Sequence, residues 1–251
     1  MTSDGDALFR AICEQPWEDT PRLAYADWLE ENGRPELAAY IRFECAFPAF
    51  TTSHPRYQEL TERSLQFDSV WQQCELELPR FKGVKWWAGF FHRGFAHAAT
   101  FHSSKAFRDH ADAVFGAAPV DLLEVDQLTD RTVAHVLESR YLRRLKQLVL
   151  RGTYGNEGVR KIAVCAELPH LESLCVWGRC ADAGAEALAA SDRFPALRTL
   201  SFSNHALTNR GALALADSDS LRSVKRLVLH GTFGLSKRAV RRLKERFEEL
   251  E

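Results

Sequence analysis

Leu145-Lys146-Gln147-Leu148-Val149-Leu150, Leu171-Glu172-Ser173-Leu174-Cys175-Val176 and Leu197-Arg198-Thr199-Leu200-Ser201-Phe202 share one pattern, with apolar residues at the first, fourth and sixth of six places. Val120/Leu123/Val125 and a degenerate Phe95/Ala98/Thr100 repeat it upstream, and Val224/Leu227/Leu229 repeat it downstream. Successive copies start 25, 25, 26, 26 and 27 residues apart. A near-constant period of that length marks a stack of like units. Each unit supplies a short strand and a crossing helix, and neither buries its apolar side alone. Stacking them builds one continuous core and a parallel sheet. The six strand segments are therefore expected to pair in sequential order.

The residues between the strands carry helix starts. Asn156, Asp182 and Thr208-Asn209 each precede an apolar run, and an Asx or Thr there is expected to cap the helix it opens. The stretch Leu207-Thr208-Asn209-Arg210-Gly211-Ala212-Leu213-Ala214-Leu215-Ala216 is similar to the ribonuclease-inhibitor-like class of leucine-rich repeats, a resemblance covering about residues 95–250. It implies an α/β fold, a right-handed horseshoe of about six repeats with a parallel sheet. The chain departs from the class at the ninth place, usually Asn or Cys, which here holds Leu128, Thr153, Arg179, His205 and Thr232. The usual buried side-chain ladder is expected to be incomplete. Both ends of such an array need covers. The N-terminal cover is assigned to the preceding helical domain plus the aromatic run 81–101. The C-terminal cover is read as one helix over 236–250, capped by Ser236, with Val240, Leu243, Phe247 and Leu250 inward.

Charge divides the chain at about residue 80. The net charge of −1 conceals 7 Lys/Arg against 15 Asp/Glu in residues 1–80, and 26 against 19 in residues 81–251. The two domains are accordingly drawn as 1–80, α-helical, and 81–251, repeats with a capping helix. Helices are predicted from Ala7 to Glu14, from Thr20 (cap) through Pro21 to Gly33, and from Pro35 to about Phe47. A single amphipathic helix is predicted to carry Tyr57, Leu60, Ser64, Phe67, Trp71, Cys74 and Leu78 on one face. The block from Arg22 to Gly33, with its Tyr25-Ala26-Asp27-Trp28-Leu29-Glu30 core, and the later Ile41-Arg42 resemble the bacterial repeat-companion domain over about residues 4–47. That resemblance implies a module that sits ahead of repeats and has no established activity.

The composition excludes several classes. No stretch reaches the eighteen or so apolar residues of a membrane helix, and the acidic start lacks a signal-peptide layout. Six scattered cysteines in 251 residues suit buried, reduced thiols rather than a disulfide scaffold. The expected setting is a bacterial cytoplasm, with no membrane partner. His92, His97, His102 and His110 cluster in sequence, but their spacing suits no known zinc loop, and no metal or cofactor is expected. Cys165, Cys175 and Cys180 read as core filling. No nucleophile elbow, phosphate loop or dinucleotide fingerprint is present, so the chain is read as no enzyme.

A horseshoe offers a solvent-facing concave sheet instead. By strand alternation, places three, five and seven point away from the core. The seventh reads Asp126, Arg151, Trp177, Ser203, His230; the third reads Leu122, Gln147, Ser173, Thr199, Arg226; the fifth reads Glu124, Val149, Cys175, Ser201, Val228. Trp177 beside Arg151 and His230 has the make-up of a binding hot spot. Asp126, Arg151, Trp177, Ser203, His230, Gln147 and Arg226 are the candidate contacts for an unidentified protein partner. The alternative is a nucleic-acid- or phosphate-binding surface on 222–246, where nine Lys/Arg meet one acid, with Arg238, Arg241 and Arg242 as its core. A pI near 6.8 and the lack of a nucleic-acid-binding fold favour the plainer reading of that segment as a solvated face.

Overall fold

The computed structural model describes residues 4–47, 56–87, 91–203, 207–231 and 234–251. Two compact units emerge: Met1–Phe81 with Trp86–Ala99 and Asp112–Asp121, and Lys82–Lys85 with Thr100–Ala111 and Leu122–Glu251. The chain thus rejoins the first unit twice after residue 81, and no single cut near residue 80 separates them.

The first half of the chain forms α1 (Asp4–Glu14), α2 (Thr20–Glu31), α3 (Pro35–Ala46), α4 (Tyr57–Leu65), α5 (Asp68–Glu77), β1 (Val84–Trp86), β2 (Phe91–His92), β3 (Phe95–Ala96), β4 (Ala98–Phe101) and α6 (Ser104–Ala117). In the first unit Ala26, Leu29, Leu37, Ala38, Tyr40 and Ile41 form a core from α2 and α3. Gly33, at φ 80°, closes α2 in the left-handed conformation. Arg42 on α3 reaches back to Asp27 at 2.7 Å and Glu30 at 2.6 Å, so the acidic residues of the Tyr-Ala-Asp-Trp-Leu-Glu stretch tie two helices together. Arg22 is 1% exposed because its guanidinium donates to the carbonyls of Pro16 and Glu18.

Two helix expectations need correction. Thr20 is already inside α2 and caps nothing; Asp19 precedes it and turns to Arg93 at 3.1 Å instead. The single helix over 57–78 is two, α4 and α5. Phe67 leaves the helical path between them and packs its ring 5.4 Å from both Tyr40 and Phe43. Phe67 fits the apolar period, so the break is invisible in the spacing.

The second half continues with β5 (Leu122–Leu128), α7 (Val133–Leu137), a 3-10 turn at Arg140–Arg144, β6 (Gln147–Gly152), α8 (Asn156–Ala163), β7 (Ser173–Trp177), α9 (Asp182–Ala189), β8 (Thr199–Ser203), α10 (Asn209–Ala216), β9 (Arg226–His230), α11 (Lys237–Arg246) and β10 (Glu249–Leu250). The fold is α/β, with an eight-stranded, mostly parallel sheet in the order β1-β4-β5-β6-β7-β8-β9-β10. Strands β5 to β9 pair in sequence order, so Leu148, Leu174, Leu200 and Leu227 stand in one row and Leu150, Val176, Phe202 and Leu229 in another. All of these except Leu229 are at most 1% exposed. Helices α7 to α11 pack each on the next.

The degenerate copy Phe95/Ala98/Thr100 divides: Phe95 belongs to the β2–β3 hairpin, while Ala98 and Thr100 lie in β4, buried along its whole length. The last helix is also shorter than expected. Chain direction changes at Phe247, which is 3% exposed, and Glu249-Leu250 become β10, paired in parallel with β9. An edge strand left bare exposes its row of polar groups, and β10 covers that of β9.

At the ninth places Leu128 is buried while Thr153 and Arg179 are exposed; His205 and Thr232 lie outside the described residues. A ladder nevertheless runs through the stack, built from other residues. Asp130 Oδ1 accepts from the N–H of Gly155 (3.0 Å) and Gly158 (2.6 Å), the cap and third positions of α8. Asn156 Oδ1 does the same for Ala181 and Gly184 at α9, and Asp182 Oδ1 for Thr208 and Gly211 at α10. Asn209 Oδ1 then accepts from Ser236 N at 2.8 Å, at the start of α11. So Asn156, Asp182 and Asn209 do not cap the helices they open; each serves the next helix along. Thr208 and Ser236 cap their own helices as expected. The third position must be small: a Cβ on Gly211 would fall 2.6 Å from Asp182 Oδ1, and one on Gly184 3.2 Å from Asn156 Oδ1.

This ladder predicts that Asp182→Ala, which strands two N–H groups and the Thr208 hydroxyl, costs about 1–3 kcal/mol in denaturant unfolding. Burial alone would raise the Asp182 carboxyl, but the hydrogen bonds from Thr208 and Gly211 and the charge of Arg210 hold it below the usual range. Its stabilisation is therefore complete above the unfolded carboxylate pKa, about 3.9, and is lost as pH falls through the lower native value. Denaturant curves for Asp182→Asn should lack that acid-side loss.

Candidate partner-binding face

The sheet face opposite the core rows carries the candidate contacts. Trp177, the last residue of β7, is 44% exposed and pairs in register with Arg151 of β6 and Ser203 of β8. The Arg151 guanidinium lies 5.3 Å from the indole centroid, within cation–π reach. On the other side the His230 ring stacks on Trp177 at 5.8 Å and 26°, although β9 is two strands away. Arg151, Trp177 and His230 thus form one continuous row.

Arg151 is held from below. Its Nε lies 2.9 Å from Oε1 of Glu124, and the Thr100 hydroxyl donates to Oε2 at 3.1 Å. Glu124 is only 5% exposed, and these two contacts give its buried oxygens polar partners. Sequence reasoning placed Glu124 among outward residues and missed this role. It is the only acidic residue in the fifth-place column, the one available signal. Leu122 and Val228, expected on the same open face, are likewise buried.

Gln147 is exposed, and Arg226 is half-buried and engaged with Glu249 and Glu251 at 3.5 and 2.5 Å. Asp126 falls out of the seventh-place column. A bulge between Val125 and Leu128, with Gln127 at φ 54°, breaks the register with β6, and Asp126 turns to His102 at 3.3 Å.

His92 and His97 lie with ring centroids 5.4 Å apart, and His97 Nδ1 is 2.8 Å from Asp121. Burial, aided by His97, lowers the pKa of His92 to about 4 and keeps it neutral. Among the described residues no group of three or more His, Cys, Asp or Glu gathers to hold a metal ion. None of the six cysteines is in a disulfide; burial pushes Cys165 up to about 11 and Cys180 up to about 12. Such thiols are poor nucleophiles.

The basic segment is largely neutralised. Arg241 pairs with Glu245, Arg242 with Asp217 and Glu245, Arg222 with Asp219, and Lys225 with Glu248. Arg246 donates to the carbonyls of Leu221 and Val224. Among the described residues Lys237, Arg238 and Lys244 have no ion-pair partner. Of the three arginines singled out from sequence, only Arg238 is therefore uncommitted.

These contacts order three substitutions by cost. Trp177→Ala removes an exposed indole and should change stability by less than about 1 kcal/mol. Arg151→Ala leaves Glu124 short of a partner and should cost about 1–3 kcal/mol. Leu174→Ala in the core row should cost about 2–5 kcal/mol. Denaturant unfolding of the three variants checks the order. In comparisons with known proteins, no protein-family model matches the chain and no curated protein matches its sequence.

Proposed function

We propose that the chain is a non-enzymatic protein-binding module of the bacterial cytoplasm. In this reading residues 95–250 are a short leucine-rich-repeat horseshoe of the ribonuclease-inhibitor-like class, following a repeat-companion-like helical domain in the sequence. A protein partner docks on the open sheet face. One observation carries the reading: Trp177 stands 44% exposed between Arg151 and His230 on a row whose geometry is set by strand register. Trp and Arg are the residue types that dominate binding hot spots, and a strand-borne row loses little freedom on binding. Gln147 extends the surface on a neighbouring strand position, with Arg226 at its margin, and Ser203 stands in register between Trp177 and His230. No helix among the described residues is long and apolar enough to cross a membrane.

The nucleic-acid reading retains one supporting observation, the cations Lys237, Arg238 and Lys244 of α11, which have no ion-pair partner among the described residues. It is the weaker of the two, because acidic neighbours satisfy most of the segment.

Pull-down from a bacterial lysate, comparing the wild-type chain with Trp177→Ala, separates them. A partner docked on the row should lose about 30-fold or more in affinity, equivalent to about 2 kcal/mol. Replacing Lys237, Arg238 and Lys244 by Glu should leave that partner bound. If instead the triple variant loses retention on RNA or heparin, and wild-type retention falls steeply with salt, the basic segment is the site. A partner unaffected by Trp177→Ala overturns the proposed face.

A further inference from the structure

A cavity of about 320 Å³ lies wholly within the first unit, at the lower end of the range for small-molecule sites. The rings of Phe9, Tyr25, Trp28 and Phe95 wall it. They touch one another in a chain: Phe9 lies 5.8 Å from Tyr25 and 5.9 Å from Phe95, and Tyr25 stacks on Trp28 at 5.8 Å and 8°. The stack is fixed from behind. A Cβ on Gly5 would come within 2.5 Å of the Trp28 ring, so the absence of a side chain there lets the indole seat against α1.

Charge enters the same cavity from Asp6, Glu77 and Arg34. Arg34 reaches Glu77 only at 3.7 Å, and both side chains are about half exposed, a loose and screened pair. Counted over the lining side chains alone, two carboxylates face one guanidinium, while Arg22 lies against the Phe95 ring at 5.8 Å. Burial raises the Tyr25 phenol, with Arg34 opposing and Asp6 and Glu77 adding, so all three charges act on a wall of the cavity. The phenol stays neutral and adds no anion of its own.

Aromatic faces carry negative potential, and carboxylates beside them add to it. An anionic ligand meets repulsion there, and a neutral apolar one gains nothing from Asp6 and Glu77. A hard metal ion finds too few oxygen ligands. From ring walls, carboxylates and size together we infer that this cavity binds a quaternary ammonium group on a short aliphatic stem. Such a cation is weakly hydrated and needs no hydrogen-bond acceptors, which suits a cavity where aromatic rings stand beside carboxylates. The inference is independent of the protein-binding reading, whose residues all belong to the second unit.

Calorimetric titration of the full chain with choline, and with its uncharged carbon analogue 3,3-dimethylbutan-1-ol at equal ionic strength, tests it. Choline should bind at least about tenfold more tightly than the alcohol, the difference expected of a desolvated cation–π site. The double variant Asp6→Asn, Glu77→Gln should weaken choline by about fivefold or more while its circular dichroism stays native. Trp28→Leu should abolish binding; should that variant fail to fold, the double variant decides. Equal affinity for choline and the alcohol, no choline binding at about 10 mM, or a double variant that binds as well as wild type would each overturn the proposal.

Discussion

Each α-helix begins with N–H groups that have no partner inside the helix. In the second unit those groups are satisfied from one repeat back, through Asp130, Asn156, Asp182 and Asn209. This couples the starts of α8 to α11 each to the preceding unit at a nearly fixed offset. A helix cannot slide or rotate against the one before it without breaking two short hydrogen bonds to a single oxygen. The glycine at the third position is part of the same device, since any side chain there would occupy the acceptor's place. At α11 that position is Ala239, and the contact shrinks to one bond on Ser236, with Ser236 supplying its own cap. The ladder ends where the repeats end.

Fixed offsets between helices leave the strands little choice of register, and register decides what each face presents. A slip of one residue would exchange the Leu148–Leu174–Leu200–Leu227 row for the polar residues of the open face. With the register set, Arg151, Trp177 and His230 come into line from three strands that are separated by tens of residues in sequence. Glu124 then fixes the end of that row. A buried carboxylate is tolerated only with its partners in place, and Arg151, paired with it, lies beside the indole with its other side open to water.

The first unit is organised differently. Its helices are joined by ring packing and by guanidinium groups that serve backbone or carboxylate oxygens, Arg22 between α1 and α2 and Arg42 between α2 and α3. Rings pack with gaps that aliphatic side chains would fill, and the cavity beside Trp28 is one such gap. Phe67 shows the same preference for ring contact over helix continuity.

Sequence alone determined the repeat, because a period of 25 to 27 residues with apolar places one, four and six is a local regularity that survives any change of context. It determined the outward positions of Arg151, Trp177 and His230 for the same reason: alternation along a strand is covalent geometry. It picked out Asn156, Asp182 and Asn209 as capping residues but assigned them to their own helices, since a capping rule read along the chain sees only the nearest N–H groups. Tertiary structure decided the rest. The acceptors turn to helices some 25 to 29 residues away only once the repeats are stacked. Glu124 is buried only when β4 and β6 flank it, β10 forms only because β9 offers an edge, and the break at Phe67 follows from rings waiting on α3. Each of these depends on which surfaces meet, and a linear spacing carries no record of that.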